Sequence, residues 1–281
     1  MTEFILSHEL AIRLSAFFGI FAIMASWEIF APRRKLLYSK LRRWLSNLGL
    51  VCLNTLLLRL IFPAAAVGMA NYTSEHGWGL FNAIQLPTWL AVLLSVALLD
   101  LVIYLQHVMV HAVPALWRLH RVHHADPDYD VTTGARFHPI EIILSMLIKI
   151  ATIAALGPPV VAVIIFEVML NGMAMFNHGN VGLPGWLEHR VRRLLVTPDM
   201  HRVHHSVEVD ETNSNFGFNL SIWDRLMGTY RDQPRLGHRD MKIGLASINE
   251  PQRTTHLSGM LLIPFQGSDD NYSINRRSWG E

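Results

Sequence analysis

Cysteine is nearly absent from these 281 residues: Cys52 stands alone in an apolar run. That excludes an intrachain disulfide and any cysteine-held iron–sulfur cluster. Charge is scarce as well, at 16% of residues, where soluble domains average roughly 25%. A formal net charge of +2 is too balanced to argue for a nucleic-acid partner. No H-E-x-x-H occurs, so the zinc-protease signature is missing. The E-x-x-H pairs of soluble di-iron bundles are missing too.

What the chain has in quantity is apolar length, with 51% hydrophobic residues. Four stretches can enter a bilayer, which takes about 20 residues at 1.5 Å each. They are 11–31, 47–70, 88–110 and 140–177. The last is too long for one span and carries Gly157-Pro158-Pro159 in its middle. Proline cannot continue a helix and glycine readily ends one, so a hairpin is expected, up to Leu156 and back from Val160. The leading residues MTEFILSHEL hold two acids and no base, which argues against a cleavable signal. The expected fold is all-α: an integral membrane protein with about four spanning or embedded helices plus a hairpin element. A helical, histidine-rich cap is expected on one face.

Basic residues orient that face. Arg33, Arg34, Lys35, Lys40, Arg42 and Arg43 crowd the loop 31–44, whereas loop 71–87 and the GPP tip have no lysine or arginine. Cytoplasmic loops carry the excess of positive charge. This assigns 32–46, 112–138 and everything after about 178 to the cytoplasmic side.

Ten of the fifteen histidines fall in five short motifs, all on that side. His107 and His111 end the third span, in a stripe with Asp100 and Tyr104. HRVHH then occurs twice, as His120, His123, His124 and as His201, His204, His205, without repetition of the surroundings. Positions i, i+3 and i+4 share about 100° of a helix face, so each copy is a three-imidazole comb. His138 precedes Pro139 at the start of the hairpin, and His178 follows its return. Imidazole is the commonest neutral metal ligand and suits iron, zinc and copper. Ten such groups exceed the four to six positions of one ion, so two metals are expected. Two divalent ions among neutral rings need nearby acids. Asp100, Glu141 and Asp199 each lie within one or two helical turns of a histidine.

H-x-x-x-H (107–111), H-x-x-H-H (120–124), RFHP (136–139), NH (177–178), H-x-x-H-H (201–205), NFG (215–217) and WDRLMGTY (223–230) together resemble the fatty acid hydroxylase/sterol desaturase superfamily. The resemblance covers about 93–235, flanked by a transmembrane region, 1–92, and a polar tail, 236–281. It implies a non-haem di-iron centre held by His107, His111, His120, His123, His124, His178, His201, His204 and His205. It also implies O2-dependent hydroxylation or desaturation of a lipid from the bilayer, such as a sterol or fatty acyl chain. Electrons would come from a separate ferredoxin- or cytochrome-type donor. Zinc could substitute for iron, because imidazole sites bind it well. Fatty acid 2-hydroxylases of the superfamily pair the third-box histidine with another four residues earlier. Here that position is Ala174, and His138 is the expected replacement. Asn215, Gly217, Trp223 and Asp224 match family motifs and are expected to support the ligands. His8, His76, His189, His238 and His256 are expected at the surface. A metal-transport protein is the alternative, but it would place ligands near the bilayer midplane in broken helices. A bis-histidine haem would leave most of the ten histidines without a role.

Overall fold

A computed structural model describes residues 2–84, 86–267, 272 and 274. Among the described residues there are helices and isolated bridges but no strand. Five helical segments are long and apolar enough to cross a membrane: Glu9–Phe30, Lys40–Ala83, Thr88–Ala112, Pro139–Leu156 and Val160–Asn177. The expected hairpin is there, broken at Gly157, whose φ of 58° suits a residue without Cβ.

The second segment is not the single span read from the sequence. Helix α2 (Lys40–Ile61) follows α1 (Glu9–Phe30) and stops before Pro63; α3 (Ala65–Glu75) starts anew. Helix α4 (Thr88–Ala112) runs into α5 (Pro114–His124), and the hairpin is α6 (Pro139–Leu156) and α7 (Val160–Asn177). Ala66 and Ala70 of α3 pack with Leu99, Ile153, Val163 and Phe166. Small residues matter there because helices in lipid associate by close contact rather than by burial from water. Outward-facing residues such as Phe18, Leu60, Trp89 and Leu147 stay exposed, as lipid-facing positions do.

The two ends of the bundle differ. At one end a Cβ on Gly79 would fall 2.4 Å from the Gly157 nitrogen, so the loop after α3 lies against the hairpin tip. At the other end the basic loop is tied to the histidine-bearing segments. Arg33 pairs with Asp199 at 2.9 Å. Arg34 donates to the carbonyls of His238 and Met241. Arg43 is fully buried between Asp126 and Asp130, at 2.8 and 2.5 Å. Several cations that set the expected orientation therefore also neutralise buried acids.

Residues 236–267, the first part of the expected polar tail, contribute to a buried cluster. Helices α8 (Pro251–Thr255) and α9 (Leu257–Leu262) fold back. Leu245, Ile248, Met260, Ile263 and Tyr272 share a buried cluster with Leu50, Trp117 and Val122. Arg121, the arginine of the first HRVHH, donates to the carbonyls of Ile263 and Gln266. Most of QGSDDNYSINRRSWGE lies outside the described residues.

Candidate metal centre

Nine of the ten expected ligands converge in two groups. His107, His111, His120, His124 and His204 form one; His123, His178, His201 and His205 form the other. Within each group the prospective ligand atoms all lie within 4.8 Å of one another. Neither HRVHH serves one group alone. The first comb sends His120 and His124 to the larger group and His123 to the smaller; the second sends His204 to the larger and His201 and His205 to the smaller. Three teeth over about 100° of helix face reach two adjacent groups.

Hydrogen bonds aim the rings. The Nδ1–H of His107 donates to the Phe216 carbonyl, that of His204 to the Ser214 carbonyl and that of His178 to the Ala174 carbonyl, each at 2.8 Å. His111 Nδ1 donates to Asn213 Oδ1 at 3.2 Å, and His120 Nδ1 to Glu141 Oε1 at 2.6 Å. A proton fixed on Nδ1 leaves the Nε2 lone pair free for a metal. The Nε2 atoms of His107, His120, His204 and His205 are buried and without a hydrogen-bond partner. Buried polar atoms are rarely left so. Orphaned imidazole nitrogens gathered within ligand distance fit metal ions of the kind the chain implies.

These rings are almost wholly shut off from solvent. His107 retains 7% of its surface and the other eight retain 2% or less. Burial pushes His178 and His204 down to about 3, even though their Nδ1–H bonds to carbonyls act the other way. Burial, reinforced by neighbouring imidazoles, holds His123, His124, His201 and His205 well below the ordinary value. Phe137 stacks on His123 at 4.5 Å, and Trp117 packs on His111 at 4.8 Å.

The expected supporting residues divide. Glu141 Oε1 accepts the Nδ1–H of His120. Asp100 and Asp199 touch no ligand ring. The Asp100 carboxylate accepts from the Asn219 and Leu220 backbone and from Trp223 Nε1. Asp199 pairs with Arg33 and Arg202. Asn215 and Asp224 act at one remove. Asp224 accepts from the Phe216 and Gly217 N–H groups and from Thr229 Oγ1. Asn215, at φ 52°, bonds the Met200 and Arg231 backbone. Together they hold the NFG turn so that Ser214 and Phe216 present their carbonyls to His204 and His107. At Gly217 a Cβ would sit 2.6 Å from the Asp224 carboxylate, so the turn requires glycine.

His138 joins neither group. Its Nδ1 accepts from the Ile140 N–H and caps α6. The absent histidine at 174 needs no replacement by it, because His123, His178, His201 and His205 already assemble four rings. His238 is buried, 7% exposed, and lies 3.8 Å from Asp199 rather than at the surface. Two features escaped the sequence reading: Asn213, and the carbonyls at 174, 214 and 216. Backbone acceptors leave no compositional mark. Asn213 is itself fixed by donating to the carbonyls of Val209 and Tyr272, which turns its oxygen toward His111.

Comparison with known proteins agrees with this geometry. Residues 92–229 match the fatty acid hydroxylase family. An ornithine lipid hydroxylase of Rhizobium tropici is 31% identical over 187 residues, covering 65% of this chain and 54% of that protein. An alkylglycerol monooxygenase of Xenopus tropicalis is 32% identical over 171 residues, 58% of this chain and 36% of that protein. The cholesterol 25-hydroxylase of Rattus norvegicus is 26% identical over 146 residues, 51% of this chain and 47% of that protein. The chain thus spans about half or less of the length of these relatives. No solved structure matches it. The ordered histidine motifs, their convergence into two groups and the matched segment place this chain in the fatty acid hydroxylase/sterol desaturase superfamily.

Proposed function

We propose that the protein is a membrane-bound, non-haem di-iron oxygenase that hydroxylates a C–H bond of a lipid. The observation that carries this is the division of nine buried imidazoles into groups of five and four. Each group would hold one iron. When bound, the pair supplies O2 activation and the oxidation of an unactivated C–H bond, with electrons from a separate donor.

The chain's own residues supply orientation and a dry, neutral setting. Five Nδ1–H bonds fix ring direction, and burial favours the neutral, metal-binding form of His123, His124, His178, His201, His204 and His205. Aromatic faces of Phe137 and Trp117 exclude water beside the rings. Glu141 is the one carboxylate that touches a ligand ring among the described residues, so it offsets part of the metal charge. Hydroxylation is favoured over desaturation because the relatives reported above are named hydroxylases and monooxygenases. Their names point to membrane lipids as the substrate class. The site is assigned to the cytoplasmic face, since the basic loop 31–44 packs against it and the loop 71–87, which has no lysine or arginine, lies against the hairpin tip.

The test is reconstitution of purified, iron-loaded protein with a reductant and a lipid extract under 18O2. Mass spectrometry should find lipid products heavier by one oxygen carrying the label. Unlabelled or absent product from iron-replete protein would count against an oxygenase.

A further inference from the structure

A crevice of about 200 Å³ opens between α4, α5 and α6. Its walls are hydrocarbon: Met109, Leu116, Leu119, Leu144, Leu147 and Ile148. Leu144 and Leu147 are among the exposed apolar residues of α6, so the mouth faces the side where lipid chains lie. Three polar side chains also line it, Gln106, Ser145 and Glu141. Gln106 Nε2 donates to Ser145 Oγ at 3.0 Å, so those two satisfy each other. Glu141 does not close on itself in this way. Its Oε1 accepts from His120, whereas Oε2 is buried and without a partner, on a residue only 6% exposed. No basic residue lines the crevice, so it offers nothing to an anionic headgroup.

A hydrocarbon trough whose lining includes a carboxylate with one unmatched oxygen calls for a particular ligand. We propose that the crevice binds the chain of a lipid that bears a neutral hydrogen-bond donor, a hydroxyl or amide N–H, which Glu141 Oε2 accepts. The same carboxylate then touches lipid on one oxygen and a metal-group histidine on the other. That registers the chain against the larger histidine group. For its purpose this assignment rests on the lipid-oxygenase reading above, but its test does not need turnover.

Full-length protein in nanodiscs is irradiated with an alkyl glycerol ether carrying a diazirine on its chain and a free hydroxyl. Crosslinks are expected on α4 and α6, around Met109 and Leu144–Ile148. Unlabelled hydroxyl lipid should compete roughly tenfold better than its O-methyl counterpart, as a hydrogen bond to a charged acceptor implies. Glu141→Gln, which puts an amide donor at the same place, should abolish that preference. Ser145→Phe and, independently, Leu144→Trp should suppress crosslinking while metal content is unchanged. Equal competition by the two lipids in the parent protein would overturn the proposal. So would undiminished crosslinking in both filled variants. Crosslinking without any 18O incorporation sinks only the oxygenase reading; incorporation with crosslinks elsewhere sinks only this one.

Discussion

The Nε2 atoms of His123 and His178 stand 3.2 Å apart, and His201 Nε2 is 3.1 Å from that of His178. The proton of His178 is committed to the Ala174 carbonyl through Nδ1. Its Nε2 therefore presents a lone pair to two other rings, an arrangement that a cation between them would stabilise. The four-ring group has no ligand to spare, while the five-ring group has one more than a tetrahedral site needs. His178→Ala should accordingly lower metal content from two per chain toward one. His204→Ala, which leaves four rings in its group, should retain more than His178→Ala does. Elemental analysis of both variants decides; equal losses would mean that the groups do not act as separate centres.

The NFG turn and its neighbour Ser214 hold His107 and His204 through backbone carbonyls, and Asp224 holds the turn. Asp224→Ala strands the Phe216 and Gly217 N–H groups, at about 1–3 kcal/mol each. Loss of a ligand's orienting partner typically costs 10–100-fold in metal affinity. Metal titration of refolded or mildly stripped protein should show that weakening. An unchanged affinity would mean that the carbonyls are incidental.

His138 caps a helix and is expected to leave the metals in place. His138→Ala should cost about 1 kcal/mol, as cap losses do, and retain both metals. Loss of either metal in a protein that still melts cooperatively would return His138 to the ligand set.

Acid should act on the metal-free protein through the same rings. In the fold His178 and His204 titrate near 3, because burial opposes their charge. In an unfolded chain they take up protons near 6.5. Below that value the unfolded state binds more protons, so stability falls as pH falls, by about 1.4 kcal/mol per unit for each such ring. Melting of stripped protein between pH 7 and 5 should show a falling midpoint. A flat profile would be incompatible with buried neutral rings.

Much of this site could be read before folding was considered, because metal ligation demands rare residue types at helical spacing. The two combs, His107–His111, His178 and the break at Gly157 are written in that way. Other features depend on tertiary partners. Nothing in HRVHH tells that His123 and His124, adjacent in sequence, go to different groups. Ala174 reads as a missing ligand, yet its carbonyl orients His178. Asp100 looked placed for a histidine, but the chain brings Asn219, Leu220 and Trp223 to it first. Pro63 was visible inside an apolar run and did divide it, since local proline chemistry outweighs overall hydropathy. The residues after 236 looked polar by average, yet Leu245, Ile248, Met260 and Ile263 are spaced to cover Trp117.

On the proposed function, the nine rings hold a pair of non-haem irons. Protein from iron-supplemented cells, purified without chelators, can be assayed for iron per chain together with its Mössbauer and optical spectra. Two irons per chain with no Soret band is the expected result. One iron per chain, or a haem spectrum, would contradict it.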